Sequence, residues 1–135
     1  MTHVITFTVP GKPQPQGSMR QISGHNFSDN PNLKSYRQAV AWMALEARQK
    51  ARRWSLDAPM RVEADFWFQR PKSSPTRIFP TVKPDIDKLC RSICDGMTGV
   101  LYVDDCQVVE IVARKWYGEP RTEVRIRAAC VTAPE

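Results

Sequence analysis

The sequence predicts an α+β (α/β) domain: a mixed β-sheet packed by two helices, in the order β-β-α-β-α-β-β. Three observations predict it. Apolar and polar residues alternate over His3 to Val9, Met60 to Phe68 and Glu123 to Val131, the period of half-buried strands. Two other stretches carry apolar stripes at helical spacing. A helix lying between strands calls for a crossover, while the last two strands follow one another across a short turn and suggest a hairpin. Parallel and antiparallel pairing then occur in one sheet.

The first strand places Ile5, Phe7 and Val9 on one face and Thr6 and Thr8 on the other. The next stretch, PGKPQPQGSMRQ, has three prolines, two glycines and no acid, so it reads as a basic loop that cannot be helical. His25 to Phe27 is long enough for a short strand. Asn30 or Asn32 can cap a helix running to about Arg53, with Leu33, Tyr36, Val40, Met43, Ala44 and Ala47 as its stripe and a basic end that suits the helix dipole. Trp42 points away from that stripe and marks a face for subunit contact. After Phe68 comes QRPKSSPTRIFPTVKP, an extended loop punctuated by prolines. A second helix starts at Asp85, buries Ile86, Leu89, Cys90, Ile93, Cys94 and Met97, and ends at Gly96 and Gly99. Strands from about Gln107 to Trp116 and from Glu123 to Val131 close the chain, with Gly118 to Arg121 as the turn. In the last strand Val124, Ile126, Ala128 and Cys130 are expected to point inward.

With 135 residues, the chain is expected to form one domain over 1–135 and to bury a core without disulfide or metal staples. No apolar run is long enough for a membrane helix, and MTHVITFTVP lacks the pattern of a signal peptide. Cys90, Cys94, Cys106 and Cys130 include no Cys-x-x-Cys pair, which argues against zinc. Reduced thiols and a cytoplasmic location are expected. The net charge of +6 favours an acidic partner without identifying it.

Charge placement is more informative than charge total. Asp85, Asp87, Asp95, Asp104 and Asp105 crowd into one short segment, while Phe66 to Pro84 contains no acid and carries Arg70, Lys72, Arg77 and Lys83. Crowded carboxylates repel unless a cation sits between them. Residues two apart on a helix do not share a face, so Asp85 and Asp87 converge only if one lies outside the regular helix. Pro84 biases Lys83 to extended backbone. Asp85 is then a natural N-cap and Asp87 falls in the first turn, both at the positive end of the dipole. Asp104 and Asp105 follow the apolar run VLYV, and one of them can face that cap while the other faces solvent. Such oxygen ligands suit magnesium, which takes one or two carboxylates together with water and phosphate. The plainer alternatives are a cap at Asp85, an i, i+4 partnership of Asp87 with Arg91, and a simple turn at Asp104–Asp105. The basic residues Lys12, Arg20, Arg70, Lys72, Arg77 and Lys83 are candidates for phosphate contact. Phe79 is a candidate for stacking at a branch, with core packing as the alternative.

The combination K-P-D-I-D-K-L, an apolar helix and Y-V-D-D-C-Q-V-V-E resembles the RusA family of Holliday-junction resolvases over about Lys83 to Glu110. The N-terminal G-K-P-Q-P-Q-G-S-M-R is similar to the start of phage and prophage members. The resemblance implies a small homodimeric endonuclease that nicks four-way DNA junctions symmetrically with magnesium, manganese substituting. It places Asp85, Asp87 and Asp105 at the metal-binding aspartates. The family's lysine six residues after the first aspartate is Arg91 here, which keeps the charge but not the compact, titratable ammonium. Lys88 is a possible substitute and a further DNA contact. Two other readings stay open: a branched-DNA-binding protein without catalysis, and a nuclease for other branched DNA.

Overall fold

A computed structural model describes residues 3–17, 19–22, 25–28 and 30–130, with the side chains of 19–22 and 25–28 outside the description. The strands are β1 (Val4–Pro10), β2 (Met19–Ile22), β3 (His25–Ser28), β4 (Met60–Phe68), β5 (Val108–Tyr117) and β6 (Arg121–Ala128). The helices are α1 (Leu33–Lys50) and α2 (Ile86–Met97), and a short 3-10 turn covers Asp105–Gln107. β1, β6, β4 and β5 lie side by side in that order. The β4–β5 pair is parallel, and β6 is antiparallel to both β1 and β4. This is the mixed sheet with two helices that the alternation and the helical stripes predict.

Two local expectations are corrected. β5 and β6 do not form a hairpin, because β4 lies between them. The connection instead passes over the end of β4, where Gly118 N donates to Phe68 O at 2.9 Å. A Cβ on Gly118 would lie 2.8 Å from Trp67 Cδ1, so glycine is what lets the chain cross there. The end of the basic loop is also a strand: β2 pairs antiparallel with β3 as a separate two-stranded sheet. The last strand stops at Ala128, which leaves Cys130 exposed.

One sheet face is apolar and carries the helices. Ile5, Phe7 and Val9 of β1, Met60, Val62, Ala64, Phe66 and Phe68 of β4, and Val124 and Ile126 of β6 are buried beneath them. The other face is closed by charge. Arg114 donates to Glu63 at 2.9 Å, Arg61 pairs with Glu110 at 3.0 Å, and the Arg121 guanidinium lies 3.9 Å from the Trp67 ring centre. The Arg114 hydrogen bond holds the Glu63 carboxyl below its ordinary range.

Helix α2 is positioned by close contact with α1. Val40 of α1 meets Gly96 of α2, and a Cβ on Gly96 would sit 2.8 Å from Val40 Cβ. Neither helix can retreat without uncovering Leu89, Ile93 and Met97, which are fully buried. Gly96→Ala is therefore expected to overpack the crossing and cost about 1–3 kcal/mol, read as a lowered midpoint in urea at an unchanged slope. Beyond α2, Gly99 at φ 81 turns the chain so that Leu101 and Tyr102 enter the core. Tyr102 Oη donates to Cys94 O at 2.6 Å, and Trp54 Nε1 donates to Leu101 O at 2.7 Å. These bonds fix the segment that delivers Asp104 and Asp105.

Candidate active site

Two arms carry the acidic residues. The first is the start of α2. The Lys83–Pro84 peptide is cis, and Asp85 follows as N-cap in extended backbone at φ −71, ψ 142. Its carbonyl accepts from Leu89 N, but its side chain makes no capping bond. The carboxylate is half exposed, with Lys88 Nζ at 3.9 Å. Asp87 in the first turn is exposed and has no ion pair among the described residues, and neither has Arg91 one turn later. The alternative partnership of Asp87 with Arg91 is thus not made, and Asp85 takes the expected N-cap position without a side-chain capping bond.

Two features outside α2 hold this arm. Lys115 of β5 reaches across with Nζ and donates to Val82 O at 2.7 Å and Pro84 O at 2.8 Å. Partial burial lowers the Lys115 pKa, opposed by the nearby charge of Asp85. The N-terminal loop is strapped along α2: Gln16 N donates to Lys88 O at 3.0 Å, and Ser92 Oγ to Gln14 O at 2.7 Å. That strap brings Lys12 beside Lys83, Asp85 and Lys88, along a groove of about 490 Å³.

The second arm is the turn before β5. Asp104 is its N-cap, with Oδ1 accepting from Cys106 N at 3.0 Å. Gln107 completes a capping box and uses its whole amide. Oε1 accepts from Val103 N at 2.8 Å and Asp104 N at 2.9 Å. Nε2 donates to Leu56 O at 2.7 Å and Ala58 O at 2.9 Å. Asp104 is thereby committed to the turn, and Asp105 projects into solvent. The backbone N–H of Cys106 holds the Asp104 carboxyl below the usual range. Asp105 is pushed up, first by sharing a hydrogen bond with Asp104, then by slight burial and by the charges of Asp104 and Asp95, with Arg91 opposing. Asp95 and Arg91 belong to α2, so the acidic turn faces the body of that helix.

Among the described residues, no three His, Cys, Asp or Glu side chains stand close enough together to hold a metal ion in this conformation. The donor chemistry still fits a hard divalent cation. Asp85, Asp87 and Asp105 offer exposed carboxylate oxygens with weak partners or none outside their own turn. Magnesium needs only one or two of these at a time, because water and phosphate complete its shell. A cation would also relieve the mutual repulsion recorded at Asp104–Asp105.

A family model described as the endodeoxyribonuclease RusA matches residues 10–127. The chain belongs to the RusA family. It is also 32% identical over 139 aligned residues to the uncharacterized protein YqaN of Bacillus subtilis (strain 168), covering 91% of this chain and 95% of that one. RusA membership brings endodeoxyribonuclease activity on Holliday junctions as the class of chemistry, and branched DNA as the class of partner. No helix among the described residues is long and apolar enough to cross a membrane.

The candidate DNA-contacting residues of this RusA-family chain form two groups and two single positions. Lys12, Lys83 and Lys88 gather beside Asp85. Arg70 and Arg77 are drawn to Tyr117: Arg70 lies 5.1 Å from the ring centre, and Arg77 Nη1 donates to Tyr117 Oη at 3.4 Å. Lys72 is exposed on the proline-rich loop, and the side chain of Arg20 lies outside the described residues. Phe79 packs against Trp116 at 5.9 Å between ring centres and stays half exposed. Sequence reasoning missed Lys115, whose partners are carbonyls more than thirty residues away. Gln107 stands within the Y-V-D-D-C-Q-V-V-E motif, but its bonds to Leu56 O and Ala58 O have no local signal in the sequence.

Proposed function

We propose that this protein is a magnesium-dependent endonuclease, with manganese as a substitute, that cuts four-way DNA junctions symmetrically as a homodimer in the cytoplasm. Asp85, Asp87 and Asp105 would hold the metal, with Arg91 as the adjacent cation facing the phosphate. The observation that carries this reading is the set of exposed carboxylates, Asp85 and Asp87 at the start of α2 and Asp105 on a turn near Arg91, with a lysine-lined groove at Asp85.

Each part has a role that the chain itself performs. The exposed ammonium groups of Lys12, Lys83 and Lys88 bind and orient the DNA backbone. Lys115 holds the carbonyls on either side of Lys83, and so sets where Asp85 begins the helix. Gln107 fixes the direction in which Asp105 projects. When bound, magnesium supplies the positive charge that phosphodiester hydrolysis needs at the phosphate oxygens. A two-fold dimer presents two such sites to a two-fold junction.

The test uses an end-labelled synthetic four-way junction with magnesium, with manganese and with EDTA. Paired nicks at symmetric positions are expected with either metal and none with EDTA. A junction that is bound and left whole under both metals contradicts the nuclease and favours a binding protein of the same fold. Binding in EDTA is expected to weaken roughly 100-fold between about 50 and 200 mM salt, the slope for about four neutralised phosphates.

A further inference from the structure

A second cavity, of about 340 Å³, is lined by Lys83 and Pro84 but not by Asp85. Lys12, Lys83 and Pro84 line both this cavity and the groove at Asp85, so the two are neighbours with a shared wall. Their walls differ. The groove at Asp85 is edged by polar and charged groups, whereas the second cavity is walled by Phe68, Pro71, Pro80, Val82 and Tyr117. These are flat or compact apolar surfaces, and Gln69, Lys12, Lys83 and Lys115 add polar and cationic groups to the lining.

Tyr117 is held in place. Arg70 lies over one face of its ring and Arg77 bonds its hydroxyl, so the ring is fixed and a base can stack only where Arg70 does not cover it. Lys115 also lines the cavity. Its bonds to Val82 O and Pro84 O leave an ammonium N–H unspent, because that group carries more donors than these carbonyls use. An aromatic wall, compact apolar sides, one spare donor and cations at the mouth describe a receptor for a planar heterocycle joined to phosphates. The volume lies in the range of small-ligand sites.

We infer that this cavity receives one unstacked nucleobase of the DNA strand whose neighbouring phosphate lies in the groove at Asp85. The inference rests on the proposed nuclease reading and specifies how the substrate is seated. Bases at a branch point are the least costly to unstack, because pairing and stacking are already interrupted there. Stacking on an aromatic side chain then contributes without demanding a particular sequence. The lysine rim takes the flanking phosphates, and seating the base fixes which phosphate meets the carboxylates. Branch selectivity follows from the pocket: an intact duplex offers no base to fill it.

The test is an abasic scan of a four-way junction, with single base deletions within a few nucleotides of the crossover. Binding is measured in EDTA with the full-length protein and cleavage in magnesium. One abasic position is expected to weaken wild-type binding roughly 5- to 100-fold, the usual worth of one stacked base. In Tyr117→Ala the intact junction should bind correspondingly more weakly and the same base deletion should have no further effect. Val82→Trp fills the cavity from an exposed loop position without removing a bond made by a side chain, and should reproduce that loss of coupling even if Tyr117→Ala fails to fold. A flat abasic scan in a protein that binds and cuts the junction overturns the pocket and leaves the nuclease standing. So does an abasic effect of equal size in wild type and Val82→Trp. Failure to bind any junction overturns the nuclease reading and the pocket with it.

Discussion

Asp87→Asn is expected to lower junction cleavage in magnesium by roughly 100-fold or more while leaving junction affinity in EDTA within about twofold. Removing a metal ligand should cost at least as much as the 10- to 100-fold usually lost with a supporting residue. Asp87 touches no other side chain through an ion pair among the described residues, so its loss disturbs no packing. Asparagine keeps the size and one oxygen, but it brings a neutral, weaker ligand to a site that needs charge. The thermal midpoint should stay near wild type or fall slightly, because the carboxylate favours the positive end of the α2 dipole by about 0.3–1 kcal/mol. A variant that folds, binds and cuts normally would remove Asp87 from the site. Arg91 sharpens the comparison. Arg91→Lys should retain cleavage if only positive charge is needed there, and Arg91→Ala should not.

The second large effect is expected at Gln107. Replacing its amide with a carboxylate in Gln107→Glu turns both donations, to Leu56 O and Ala58 O, into oxygen–oxygen contacts below 3 Å. The carboxylate can still accept from Val103 N and Asp104 N, so the damage is confined to one side of the group. Two lost hydrogen bonds and a carboxylate facing carbonyls amount to about 2–4 kcal/mol. For a domain of this size that is a fall of the order of 10 °C in Tm. The loss is more than structural, because the same amide orients the Asp104–Asp105 turn. Cleavage should fall even at temperatures where the variant is fully folded, and more magnesium should recover part of it. A variant with reduced Tm but wild-type cleavage at low magnesium would show that the turn is irrelevant to the chemistry.

Much of the fold was legible because it follows from period. The alternation at Ile5, Phe7 and Val9 and along β4 reads directly as a buried sheet face, and every one of those positions is buried. The α1 stripe from Leu33 through Ala44 holds for the same reason. Ile86, expected in the α2 stripe, is partly exposed, because it sits in the first turn at the rim of the site and beyond the apolar sheet face. The order of strands was not legible. Nothing in the alternation of β5 and β6 says that β4 separates them; that depends on a glycine passing over Trp67. At the site, the residue types and their acidic clustering could be read from the chain, as could the N-cap position of Asp85. Lys115 could not, because its bonds to Val82 and Pro84 arise only once β5 lies beside the proline-rich loop. Nor could the approach of the acidic turn to the body of α2, since local spacing is silent about which turn a distant loop will face.

Manganese soaked into crystals of the protein tests the centre of this account most directly, because its anomalous signal marks the ion without reference to activity. A peak coordinated by Asp87, Asp105 and, at the cap, Asp85 is the expected result, and it should vanish in Asp87→Asn or Asp105→Asn crystals. Saturating manganese that leaves those side chains bare, or binds only at Asp104, would contradict it.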